Sequence, residues 1–265
     1  MQKAAVIFQP PGKIPHRRRK TAVIKVLGLG LVLLAAGFAV HAATAAATDD
    51  ARPAPAGPGS TSAVDGKRPR HADFGREHAS KETLHVAHWV VASGDNQGLP
   101  FVIIDKVGAK VFVFDAQGKL SGAAPALLGL ARGDDSTPGI GERKLSTIRP
   151  EERTTPAGRF VASLDRDLHG GEMLWVDYDT AISLHRVVTT IAGEHRAQRL
   201  ESTTSADNRI SYGCINVPAK FYDKVVSPAF TGTNGIVYIL PETRPAREVF
   251  KSYDVDGPAP AQGAG

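Results

Sequence analysis

Between residues 99 and 240 the apolar residues come in short runs rich in Val, Ile and Phe, and turn residues cut each run off before it can reach helical length. "LPFVIIDKVGAKVFVFDAQGKL" (99–120) reads as two strands joined by a Val-Gly-Ala turn, with "DAQGK" closing the second. "GRFVASLD" (158–165), "EMLWVDY" (172–178) and "AISLH" (181–185) are further strands, and "GIVYIL" (235–240) is apolar enough to lie centrally in a sheet. "HVAHWVVAS" (85–93) is also β-rich and is read as strand. The best helix is "PAKFYDKVVSPAF" (218–230), where Pro218 suits a first turn and Phe221, Val225 and Val226 face the sheet. The chain is therefore expected to be mainly β, with one or two short helices.

What flanks these runs is of a different kind. "HRRRK" is followed by "VLGLGLVLLAAGFAV" (26–40), an apolar stretch without a charge, and then by the small residues of "HAATAAA". That order is the pattern of a secretory signal, and the apolar stretch is short for a membrane span of about twenty residues. Residues 1–47 are read as a signal peptide, or else as an N-terminal membrane anchor; either places the remainder in the periplasm or cell envelope. Residues 48–82, rich in Pro, Ala, Gly and charge, read as a disordered linker, 83–247 as the folded domain, and 248–265 as a flexible tail in which Phe250 and Tyr253 are able to dock. The formal charge of +5 comes from the leader: seven Lys and Arg lie in residues 1–47 with no acid, and without them 25 basic residues face 27 acidic ones. Nothing in that balance points to nucleic acid.

Cys214 is the only cysteine. An exported protein cannot use a lone thiol for an internal disulfide, so Cys214 is either a buried packing residue or a reactive one. Gly213 before it and a helix after it suggest a turn that opens a helix, a setting whose amides and dipole lower a thiol pKa. Five histidines of the folded segment compete to be its base: His85, His88, His169, His185 and His195. His85 and His88 would point to opposite faces of a strand, and no further ligand cluster accompanies them, so no metal is implied. His169 and His195 sit in turn-like sequence. His185 ends a strand, where a rigid element presents it at the rim, and is the best partner for a nucleophile; His195 stays open as an alternative.

The order of three motifs, "TPAGRF" (155–160), "ISLHR" (182–186) and "SYGCIN" (211–216), resembles the L,D-transpeptidase family with its YkuD-type catalytic domain. The likeness spans about residues 99–241. It implies a β-sandwich-like catalytic fold, no cofactor, and action on peptidoglycan stem peptides, with carbapenem β-lactams as covalent inhibitors. The resemblance makes Cys214 the nucleophile and His185 the base, with the Arg186 backbone carbonyl orienting the imidazole. It puts the amides of Tyr212, Gly213 and Cys214 around the oxyanion, and Ser211 and Asn216 around the turn or the substrate. Arg209 is a candidate for a substrate carboxylate. The sequence departs from the family pattern at Asn216, often Arg elsewhere, at Arg186, often Gly or Ser, and in two insertions, 133–153 and 193–207. Three functions follow as expectations: a transpeptidase, a carboxypeptidase or hydrolase on the same fold that uses water as acceptor, and a wall-binding protein without catalysis. The intact Ser211, Gly213, Cys214 and His185 speak against the third.

Overall fold

In the computed structural model, which describes residues 70–257, the strands are β1 Phe101–Asp105, β2 Lys110–Phe114, β3 Leu120–Pro125, β4 Leu128–Gly129, β5 Gly158–Arg166, β6 Glu172–Asp177, β7 Ile182–Arg186, β8 Arg209–Ser211, β9 Ile215–Val217 and β10 Gly235–Ile239. The helices are α1 Lys81–Ser93, α2 Arg196–Glu201, α3 Ala219–Phe221, α4 Ser227–Phe230 and α5 Ala246–Phe250, with a π-helical turn at Tyr222–Val226 joining α3 to α4. Eight strands form one mixed sheet in the order β3-β2-β1-β10-β5-β6-β7-β9, and β4 pairs with β8 in a small second sheet. The chain is mostly β, as expected, and each of the strand runs between 99 and 240 becomes a strand. The leader at 1–47, most of the linker and residues 258–265 lie outside the described residues.

β5 gives the sheet its sandwich-like form. Its first half, residues 158–162, pairs with β10, and its second half, residues 163–166, pairs with β6. One core cluster then takes side chains from both halves, Val102, Val111 and Val237 on one side and Leu174, Leu184 and Ile215 on the other, with Tyr222, Val226 and Phe230 of the helical segment closing it. β1 and β10 are buried on both faces, so their sequences read as unbroken apolar runs without alternation. Removing a Val or Ile side chain of this kind from water contributes about 1.5–3 kcal/mol.

The other face of β1, β2 and β10 is covered by a segment that the strand reading misjudged. Residues 81–93 form α1, not a strand. The Ser80 side chain accepts the Thr83 N–H at 3.1 Å, and Gly94 ends the helix in the left-handed region at φ 72°. Thr83, Val86, Ala87 and Val90 are buried, the spacing of one helix face. β-Branched content suggested a strand, but the caps and the 3.6-residue period decide the matter. His85 and His88 are occupied with packing: His85 Nε2 lies 2.9 Å from Ser252 Oγ, and His88 Nδ1 accepts the Ala72 N–H at 3.2 Å.

Those two contacts also correct the domain boundaries. Residues 70–82, expected to be linker, pack on the sheet: Phe74 is buried edge-on against Phe112 and Phe114. Phe250 and Tyr253 of the expected tail dock beside it, with Phe250 against Trp89 and Tyr238. No helix among the described residues is long and apolar enough to cross a membrane.

Candidate active site

β7 and β9 run parallel in the register Leu184↔Ile215, His185↔Asn216 and Arg186↔Val217. Side chains alternate along a strand, so Leu184, Ile215 and Val217 enter the core while Ser183, His185, Cys214 and Asn216 share the opposite face. The turn between β8 and β9 is held from several directions. Ser211 Oγ accepts the Gly213 N–H at 3.1 Å and donates to the Cys214 carbonyl at 2.6 Å. Thr155 Oγ1 donates to the Gly213 carbonyl at 2.7 Å and accepts the Gly129 N–H at 2.9 Å, which ties the "TPAGRF" segment to the turn. Gly213 has φ +133°, and a Cβ there would lie 2.7 Å from the Thr154 carbonyl oxygen. Only glycine fits that close approach.

His185 Nδ1 lies 2.8 Å from the Arg186 carbonyl, which can only accept, so Nδ1 carries the proton and Nε2 presents a lone pair. Burial lowers the His185 pKa and outweighs the Arg186 carbonyl, which favours the charged form; the Arg196 cation lowers it further. Cys214 Sγ accepts from Ser183 Oγ at 3.5 Å and donates to the Ala181 carbonyl at 3.5 Å. Burial raises its pKa, against the lowering effect of Ser183 and Arg196. Both shifts favour the uncharged forms, the thiol and the imidazole.

Four expectations are corrected here. Cys214 does not open a helix: β9 follows it, and α3 begins only after Pro218, so no helix dipole acts on the sulfur. The Gly213 amide is already bonded to Ser211 Oγ and is not an oxyanion donor in this arrangement. Arg209 does not face a substrate. It is buried, donates to both Glu242 oxygens at 2.6 and 3.2 Å, and joins the Lys106–Asp134 pair through Glu242. His195 is exposed in the left-handed region at φ 51° and does not line the cavity described next.

A cavity of about 360 Å³ opens over this face. His185, Cys214, Ser211, Tyr212 and Asn216 line its floor, while Arg186 contributes only its carbonyl, its side chain being turned to Asp223 and Glu172. The two insertions build the walls: Ile140 and Ile148 come from one, and Glu194 and Arg196 from the other, with Val188 and Ile191 just before it. Tyr212 on that floor is also a platform for the Arg153 guanidinium, 3.9 Å from its ring centre. Residues that reading by motif missed are Ser183, Arg196 and the hydroxyl of Thr155. Ser183 was findable, two positions before His185 on the same strand face. Arg196 was not, because only tertiary packing brings it to Asn216.

No family model matches the chain, and no curated protein matches it. Similar solved structures include L,D-transpeptidases. One is the catalytic domain of an L,D-transpeptidase from E. faecium, 16% identical over 53% of this chain and 96% of that one, with a TM-score of 0.31. Another is the LD transpeptidase LdtMt1 in complex with imipenem, 14% identical over 53% of this chain and 58% of that one, TM-score 0.31. A third is the helical cell shape determining protein Pgp2 from Campylobacter jejuni, 13% identical over 64% of this chain and 57% of that one, TM-score 0.38. The chain spans less than two thirds of the last two. Overlaps of this size carry no functional weight by themselves.

Proposed function

We propose that this chain is an exported cysteine acyltransferase of the L,D-transpeptidase type, acting on peptidoglycan stem peptides in the cell envelope. The observation that supports it is the placement of His185 on β7 and of Cys214 at the turn that leads into the parallel neighbour β9, over one cavity, with His185 Nδ1 bonded to the Arg186 carbonyl. The thiol proton leaves the Ala181 carbonyl for His185 Nε2 as Sγ attacks the donor carbonyl. Amides of Tyr212 and Cys214 receive the developing oxyanion, the Gly213 amide being taken by Ser211. Collapse breaks the C–N bond, the leaving amine of the terminal residue takes the proton from His185, and a thioester remains. An acceptor amine then attacks the thioester, His185 takes its proton, and that proton returns to the Cys214 sulfur as the new amide forms. Arg186 contributes its carbonyl, and its guanidinium, held by Asp223 and Glu172, keeps the end of β7 fixed.

Intact-mass spectrometry of the protein with tetrapeptide stems, with Cys214→Ala and His185→Ala alongside, tests the reading. A stem dimer that both variants fail to make supports transpeptidation. Loss of the terminal residue without a dimer assigns water as the acceptor and makes the protein a carboxypeptidase. No product, together with no adduct from a carbapenem such as imipenem, leaves a wall-binding module and overturns the proposal.

A further inference from the structure

Two cations line the cavity, Arg143 and Arg196, and the reaction proposed for Cys214 uses neither; Arg196 is the one bonded to the floor. Arg196 opens α2, in the insertion between β7 and β8, and its side chain is only 12% exposed. Its Nε donates to Glu194 Oε2 at 2.6 Å and its Nη1 donates to Asn216 Oδ1 at 2.8 Å. The second bond decides how the Asn216 amide faces. With Oδ1 turned to the guanidinium, Nδ2 points back along the chain and donates to the Cys214 carbonyl at 3.2 Å. Ser211 Oγ grips the same carbonyl from the other side. The backbone of the nucleophile is thus clamped twice, and one arm of the clamp ends on Arg196.

Anchoring a substrate anion is the rival role for this residue. It is the weaker one, because Nε and Nη1 are committed within the protein and Glu194 offsets the charge. We propose instead that Arg196 is a positioning residue for the cysteine: through Asn216 it fixes the Cys214 carbonyl, and its permanent charge supports the sulfur anion that forms when the thiol proton leaves. This rests on reading Cys214 as the nucleophile, and it makes the 193–207 insertion a working part of the site. The charged group that bears on the sulfur is Arg196 from α2, and His185 of β7 lines the same cavity. Asp167 acts on His185, Glu194 is paired with Arg196, and Arg143 across the cavity is held by Glu152.

The test is the rate of Cys214 alkylation by iodoacetamide against pH, on the full chain, a reaction that needs no peptidoglycan substrate. Arg196→Met is expected to move the midpoint upward and slow alkylation at neutral pH by about tenfold, one pH unit of midpoint being a tenfold change in thiolate. Arg196→Lys, which keeps the charge, is expected to restore most of it. Glu194→Gln removes the offsetting anion from a half-exposed position and is expected to shift the midpoint the opposite way, downward. Thermal melts check that each variant is folded. Midpoints that match the parent in both Arg196→Met and Glu194→Gln, or that move in the same direction, overturn the proposal. The stem-peptide assay decides separately whether the cysteine acts on peptidoglycan.

Discussion

Two polar clusters, one buried and one half-buried, lie along the same short strand–turn–strand, and they have settled their charges in opposite ways. At the β8 end, Arg209 and Glu242 form a two-pronged pair, and Lys106 adds Asp134 at 2.8 Å; all four side chains are at most 7% exposed. Burial opposes the Asp134 charge, yet bonds from Lys106, Thr243 and the amides of Glu242 and Thr243 hold its carboxyl far below the ordinary carboxylate range. At the β9 end, Cys214 and His185 are also desolvated, but each is pushed toward its neutral form. The difference is one of partners. Burial lowers the Lys106 pKa too, but four groups of alternating sign with backbone bonds to spare can remain ionised out of water, and a thiol beside an imidazole cannot. The first cluster is closed; the second opens onto a cavity, and in the proposed reaction its charges separate only when the thiol proton moves.

Breaking the second cluster should be felt in rate and hardly in stability. His185→Ala is expected to lower kcat/KM on stem peptides by about 10²–10⁴, the usual contribution of a positioned acid–base group, with an unchanged urea midpoint. A variant that loses stability as well would erase the contrast. Breaking the first should do the reverse. Glu242→Ala strands Arg209 and is expected to cost about 3–5 kcal/mol in urea denaturation, because it leaves an uncompensated buried charge. Gly213→Ala sits between the two and should affect both readouts. Its Cβ meets the Thr154 carbonyl at a positive φ, so a loss of about 1–3 kcal/mol is expected together with a fall in activity.

Acid titration sharpens the comparison without removing a side chain. Asp134 has a depressed pKa in the folded state, so the stability it contributes is present above its unfolded value, ordinarily 3.8, and is lost as pH falls below that toward the folded one. Stability measured from pH 5 to pH 2 should decline in the parent, and the Asp134→Asn slope should be flatter; equal slopes would remove Asp134 from the account. His185, lowered by burial, works at higher pH: the unfolded state gains the proton first, so stability falls as pH drops through 6.5. His185→Ala should therefore lose part of the slope near that pH. The smallest effect belongs to neither cluster. Ser80→Ala removes the cap of α1 and should cost about 1 kcal/mol by thermal melt, with activity unaltered.

How much of this could be read before the structure depends on how local each signal is. Cys214, His185, Ser211 and Asn216 were legible because a strand's alternation and a short turn place them, and both are properties of neighbouring residues. α1 was misread because Val and Trp content was weighed above the spacing of residues 83, 86, 87 and 90 and the caps at Ser80 and Gly94. Arg209 was assigned to substrate because its partner Glu242 arrives from beyond β10, a pairing that no local pattern announces. The Gly213 amide was assigned to the oxyanion because the sequence does not say which donor Ser211 Oγ accepts. Arg196 was missed for the same reason as Arg209: its neighbours in space are not its neighbours in the chain.

The pairing of β1 with β10 has a consequence for how the molecule comes into being. The strand that fills the middle of the sheet is the last of the strands among the described residues to leave the ribosome. Until Gly235–Ile239 arrives, β1 and β5 each expose an unpaired edge, and no strand of the large sheet bridges its two halves. Folding must wait for a contact that spans most of the domain, which makes the process slow and leaves nascent chains open to edge-to-edge association. A product stopped before residue 235 keeps every group at the floor of the cavity, Cys214 and His185 included, and should nonetheless be recovered as aggregate.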